Sequence, residues 1–164
     1  MSVLQGDTAS VAALASLLRR RAAELSRMAA RLELDHEQAR HGWVGPVAVG
    51  HRRRLDAAYE AAQGCAREMV GLAEALDAYG QALSEARLQV RRAEEEAASV
   101  GMVLEDGALV QGWGIVGEAS TAADEARQEV AQRLARRLAR TTTLLERRRG
   151  ALAQRAEEVT RSLR

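Results

Sequence analysis

An all-α fold is predicted for this chain of 164 residues: a long antiparallel helical hairpin with a Trp-x-Gly turn, followed by a third long helix. Three observations predict it. Apolar residues recur at steps of three and four over two long stretches, the period of one helix face. A single short break, His41-Gly42-Trp43-Val44-Gly45-Pro46, separates those stretches and holds the only proline. Hydrophobic residues make up 47% of the chain, but aromatics only 2%, and alanine dominates. Such a chain cannot fill a thick aromatic core, yet it can form thin, closely spaced helix–helix seams, because alanine costs little to order and favours helix.

The first helix is expected from about Thr8 to Arg40, with Asp7, Thr8 and Ser10 as N-cap candidates. Val11, Leu14, Leu18, Ala22, Leu25, Met28 and Leu32 form its apolar stripe, and arginines and acids occupy most of the other side. At 1.5 Å per residue it is roughly 50 Å long. In the break, Gly42 and Gly45 tolerate the backbone angles of a reversal. Pro46 suits the first turn of a new helix, where its missing N–H is not needed. Trp43 is expected to fold back and seal the open end of the hairpin.

The second helix is predicted from about Val47 to Ser99. Leu55, Tyr59, Ala62, Ala66, Met69, Leu72, Leu76, Tyr79, Leu83, Ala86, Val90, Ala93 and Ala97 follow a sustained coiled-coil-like spacing. Gly64 and Gly71 lie seven apart on one face beside Cys65. They read either as tolerated glycines near a small-residue contact or as a close-approach groove for another helix. Residues 101–117 break the pattern, and Asp106-Gly107 between short β-prone runs signals a small β-turn or ordered loop, with Trp113 anchoring it. A third, basic helix is expected from about Glu118 to Arg161 on the heptad repeat Ala131, Leu138, Leu145, Leu152 and Val159. Leu134, Ala156 and Leu163 widen that stripe. Thr141-Thr142-Thr143 is its weak stretch, since β-branched side chains lose rotamer freedom in a helix. Three segments result: 1–100, 101–117 and 118–164.

The formal net charge is +1, so nucleic acid is not the expected partner. From Glu118 onward there are 11 Arg against 7 acids, or +4, while residues 1–117 hold 13 Arg against 16 acids, or −3. Part of the packing of the third helix on the second is therefore expected to be ionic. One cysteine excludes an internal disulfide. Neither a run of 18 apolar residues nor a charged start followed by an apolar run occurs, so no transmembrane span or ordinary signal peptide is expected.

The chemistry-bearing residues point away from catalysis. His36 and His41 are five apart, whereas paired helical metal ligands need three or four. An approach of His41 and His51 across the turn would still have no carboxylate or thiol pattern to complete a site. Cys65 has no nearby His or Cys and reads as a small buried residue. Glu94-Glu95-Glu96 and Arg147-Arg148-Arg149 read as solvated helix faces. No phosphate-binding glycine loop, zinc spacing or nucleophile elbow is present. No metal, cofactor or enzymatic activity is expected.

A helix, a Gly42-Trp43-Val44-Gly45 turn and a second amphipathic helix together resemble the WXG100 (ESX) superfamily of type VII secretion substrates. The resemblance spans about residues 8–99. The stretch from Ala97 to Gly107 is also similar to actinobacterial secretion-signal domains that precede toxin or effector regions. The resemblance implies a hairpin paired with a second helical hairpin, as homodimer or heterodimer, in a four-helix bundle. It also implies export in a folded state through a secretion ATPase.

Two features depart from that pattern. Members often carry Tyr-x-x-x-Asp/Glu after the second helix, but Gln63 follows Tyr59 at that spacing and Leu83 follows Tyr79. The third helix stands where larger relatives carry an effector, and it could satisfy the hairpin's apolar stripe internally as a three-helix bundle. The turn residues are Gly42, Trp43, Gly45 and Pro46. The seam or partner interface is assigned to Leu25, Met28, Leu32, Leu55, Met69, Leu72, Leu76 and Leu83. The expected role is non-enzymatic and secretion-associated, with a cytoplasmic coiled-coil adaptor or chaperone as the alternative.

Overall fold

The computed structural model describes residues 6–40, 42–105, 107–112 and 121–162. The order of elements is α1 (Thr8–Arg40), α2 (Pro46–Ser99), β1 (Met102–Glu105), β2 (Ala108–Gln111) and α3 (Thr121–Ser162). The fold is an all-α bundle with one small hairpin. Asp7 holds the N-cap position of α1. His41, Trp113 and Leu163, each given a place in the sequence reading, lie outside the described residues.

The chain forms two compact units that do not follow its three sequence segments. One comprises Met1–Thr8 and Ala78–Gly150; the other comprises Ala9–Asp77 and Ala151–Arg164. Both α2 and α3 contribute to each.

In the first unit, α2 and α3 pack antiparallel. Ala93 and Ala97 share a buried cluster with Leu134 and Leu138, while Leu83 and Ala86 share another with Leu145. The pairing moves down one helix as it moves up the other. At the end of α2, Gly101 takes a φ of 74° and closes the last turn, as glycine does at helix C-termini. β1 and β2 then pair antiparallel with Leu104 opposite Leu109 and Val103 opposite Val110. Gly107, at a φ of 84°, supplies part of the two-residue link expected of Asp-Gly. Met102, Leu104 and Leu109 lie against the Ala93–Leu134 cluster, whereas Val103 and Val110 are exposed. The alternation of a strand thus turns one hairpin face onto the helices. Gly112 N–H donates to the Gly101 carbonyl at 2.9 Å and closes the base.

α3 runs through Thr141–Thr143 without interruption. The hydroxyls of Thr141 and Thr143 donate to the carbonyls of Arg137 and Ala139 one turn earlier, at 3.1 and 2.9 Å. That bond occupies the polar group that otherwise competes with the helical backbone.

In the second unit, Ala15, Ala73 and Leu76 form the buried cluster, flanked by Val11, Leu18, Leu72 and Leu152. The buried row of α1 is Ala15, Ala22, Ala29 and His36, at strict seven-residue spacing. Of the expected stripe Ala22 lies in this row, Val11, Leu18 and Leu25 are half-buried, and the other large members are displaced to the sides. Leu14 is 47% exposed, Leu32 44% and Met28 61%. Small side chains at the line of closest approach let the helix backbones come together, and bulkier neighbours flank the seam. On α2, likewise, Ala73 is fully buried while Leu72 is half-buried. Leu76 and Leu83 are buried as expected, and Leu25, Leu55 and Met69 are half-buried.

Opposite charge does join α2 to α3. In the first unit, Arg133 and Arg137 both donate to the carboxylate of Glu96, Arg137 at 3.1 Å. In the second, Arg155 reaches Glu68 at 2.8 Å. Gly71 lets it pass: a Cβ there would stand 2.6 Å from the Arg155 guanidinium. At Gly64 a Cβ would meet only the end of the Arg67 side chain, at 3.9 Å, an ordinary contact. The two glycines therefore do not form one groove; a guanidinium crosses Gly71.

The hydrogen bond from Arg133, aided by both guanidinium charges, holds the Glu96 carboxyl below its ordinary value against a smaller desolvation effect. A carboxyl depressed in the folded state stabilises the fold above its unfolded pKa, about 4.3 for Glu. That contribution is lost as the pH falls through the folded value. Glu96→Gln is accordingly expected to lower the urea midpoint at pH 6, with the gap to wild type closing toward pH 3. An equal gap at both pH values would show that the pairing contributes nothing.

Candidate functional site

The turn between α1 and α2 is set by backbone geometry. Gly42 and Gly45 have φ of 112° and 113°, angles that L side chains rarely adopt. Nothing lies within 4 Å of where a Cβ would stand on either, so the requirement is conformational and not one of space. The Gly45 carbonyl accepts the Val49 N–H at 3.2 Å, the first bond of α2, and Pro46 takes the first helical position. There its missing N–H leaves nothing unsatisfied.

Trp43 does not disappear into the hairpin. It is 43% exposed, and its ring is tilted 54° against that of His51, centroids 5.2 Å apart, on the first turns of α2. The buried residues nearest in sequence are Ala48, Ala29 and His36. A seam of alanines leaves no room for an indole between the helices. The ring packs against His51 and stays partly exposed.

Around that turn several apolar side chains of the second unit are exposed. Val44, Val47 and Val49 are exposed, as are Met28, Leu32 and Leu34 on α1. The described part of α3 does not reach these side chains. Arg155 lies against Glu68 and Gly71, and Ser162 ends the helix seven residues later. With antiparallel helices of equal rise, α3 stops level with about residue 61 of α2. Beyond that level the described hairpin has two helices and no third. Met28 and Leu32 are free of the intrachain seam; Leu72, Leu76 and Leu83 are committed to it.

The remaining candidates gain no chemistry from their placement. His36 is buried at the end of the alanine row, and Cys65 is half-buried and free. Among the described residues, no three of His, Cys, Asp or Glu come together to hold a metal ion. No described helix is long and apolar enough to cross a membrane. One feature escaped the sequence reading: Arg133, Arg136, Arg137 and Arg140 share one face of α3. Their spacing of three and four was available as a signal.

No protein-family model matches this chain, and neither a curated protein nor a solved structure matches it.

Backbone demand and open space at the turn separate two glycine substitutions. Gly45→Ala is expected to cost about 1–2 kcal/mol by forcing alanine into an unfavourable region. Gly150→Ala, in open space on α3, should instead stabilise by about 0.5–1 kcal/mol through helix propensity. Urea unfolding of the two variants checks both signs. A neutral Gly45→Ala would mean that the turn does not constrain the fold.

Proposed function

We propose that this chain is a non-enzymatic helical protein of the WXG100-like, type VII secretion class, exported alone or with a partner hairpin. The observation that supports the reading best is the two-helix tip. A Gly42-Trp43-Val44-Gly45 reversal joins two long helices, and exposed apolar side chains surround it where α3 no longer reaches. Exposed apolar groups gathered in one region favour burial against a second protein. Met28, Leu32, Leu34 and Val47 are the side chains offered to a partner. The reading assigns no residue a catalytic role, since the motif it rests on is structural.

A cytoplasmic adaptor or chaperone for a secreted partner is the second reading. What favours it is the missing Tyr-x-x-x-Asp/Glu after the second helix. The same tip would then receive a client inside the cell, and the Trp-x-Gly turn would serve only to fold a hairpin.

Fractionation of the native host's culture, with and without its type VII ATPase, separates the two. Export predicts protein in the medium that disappears with the ATPase. Protein confined to the cells in both strains, while a known substrate is exported, supports the adaptor and contradicts export.

A further inference from the structure

In the first unit, α2 and α3 enclose a groove of about 670 Å³ along one side of their seam. Its rim on α3 carries Arg133, Arg136, Arg137 and Arg140 at i, i+3, i+4 and i+7, one helix face, with Leu144 a turn further on. Its floor on α2 includes Ala82 and Ala86. Leu144 is a large apolar side chain left half exposed at the edge of that floor.

The charge on the rim is unbalanced. Glu96 neutralises part of Arg133 and Arg137, and Glu85, on the α2 side, accepts a hydrogen bond from Gln89 at 2.7 Å. Arg136 and Arg140 have no carboxylate partner among the described residues; Arg136 donates only to the Gln132 carbonyl, at 3.2 Å. Four guanidiniums thus face two carboxylates, and the two unpaired ones stand one helical turn apart beside an apolar floor.

From this arrangement we infer that the groove is a docking site for an acidic amphipathic helix of another protein. From Arg133 to Leu144 the rim runs roughly 16 Å, three helical turns. A helix lying between two others rests an apolar stripe on the floor and presents its flank to the rim. Carboxylates at i, i+3 or i+4, and i+7 on that flank meet arginines set at the same spacing. Arginine suits the task, because its planar fork binds a carboxylate through two parallel hydrogen bonds. The apolar floor decides for a helix over a phosphate chain. A phosphate backbone takes its affinity from charge and gains nothing from Leu144 or the alanines, and the groove has no aromatic ring on which a base could stack. The surface belongs to the other compact unit from the hairpin tip and does not depend on the export reading.

The test uses the full chain and a fluorescent synthetic peptide of about six helical turns. Leucine and alanine form one face of the peptide and glutamate the flank. Anisotropy titrations compare wild type with Arg136→Glu/Arg140→Glu and with Leu144→Gln; all three positions are exposed, and circular dichroism confirms the fold. Wild type is expected to bind, with affinity falling about tenfold or more in the charge reversal and by a smaller factor in Leu144→Gln. A peptide with glutamine in place of glutamate should bind weakly. Absence of binding, or equal binding by wild type and the charge reversal, overturns the inference. So does inorganic polyphosphate bound as tightly as the peptide and indifferent to Leu144→Gln, which makes the groove a polyanion site. Self-association by sedimentation that the charge reversal abolishes overturns it too, with a second copy as the occupant.

Discussion

The close approach of helices along rows of alanine is the constraint on which the rest of this structure depends. Ala15, Ala22 and Ala29 form the buried line of α1, and Ala66, Ala73, Ala86, Ala93 and Ala97 recur along α2. A seam this thin buries little area per residue, so it must be long to stabilise a fold. Helices of 33, 54 and 42 residues supply that length. The same constraint decides where larger side chains go. Among the described residues, buried leucines sit where α2 meets α3, at Leu83, Leu134, Leu138 and Leu145, and at Leu76 beside Ala15 and Ala73; most others flank the line of contact. Trp43, also outside the buried rows, packs against His51 and stays partly exposed.

Surfaces follow from the seam. Large residues displaced from the contact line become half-exposed, and they are covered only if a third helix passes over them. α3 brings Leu152 to the same cluster as Leu72, while the apolar side chains of the tip lie beyond its last described turn. In the first unit, Met102, Leu104 and Leu109 of β1 and β2 pack one face of the small hairpin against Ala93, Ala97, Leu134 and Leu138. In the same unit, the arginines of α3 stand beside small residues of α2 and make a groove with a charged rim. Two surfaces of different chemistry thus arise from one packing rule.

Much of this was legible in the sequence, and the misses have physical causes. The limits of α1 and α2, the Gly42–Pro46 turn and the Asp106-Gly107 hairpin follow from periodicity and turn chemistry that act locally. Periodicity locates an apolar face but not its centre. The rows Val11-Leu18-Leu25-Leu32 and Ala15-Ala22-Ala29 are adjacent, and size of side chain favours the first as the centre, although Ala22 of the second is in the expected stripe. Only the partner helix, which brings its own alanines, selects the smaller. Gly64 and Gly71 looked alike for the same reason, until Arg155 crossed one of them. Arg133, Arg136, Arg137 and Arg140 look like a solvated face until Ala82 and Ala86 are placed beside them, and that placement is tertiary.

The most direct test of the alanine seam is to enlarge one member of it. Ala73 is fully buried against Ala15 and Leu76, whereas Ala61 on the same helix is exposed. Urea unfolding of Ala73→Leu and Ala61→Leu compares the same chemical change inside and outside the seam. Close approach predicts that Ala73→Leu loses about 1–3 kcal/mol to overpacking despite the added apolar surface. Ala61→Leu should stay within about 0.5 kcal/mol of wild type. An Ala73→Leu variant as stable as wild type, or more so, would contradict the claim that alanine sets the spacing of these helices.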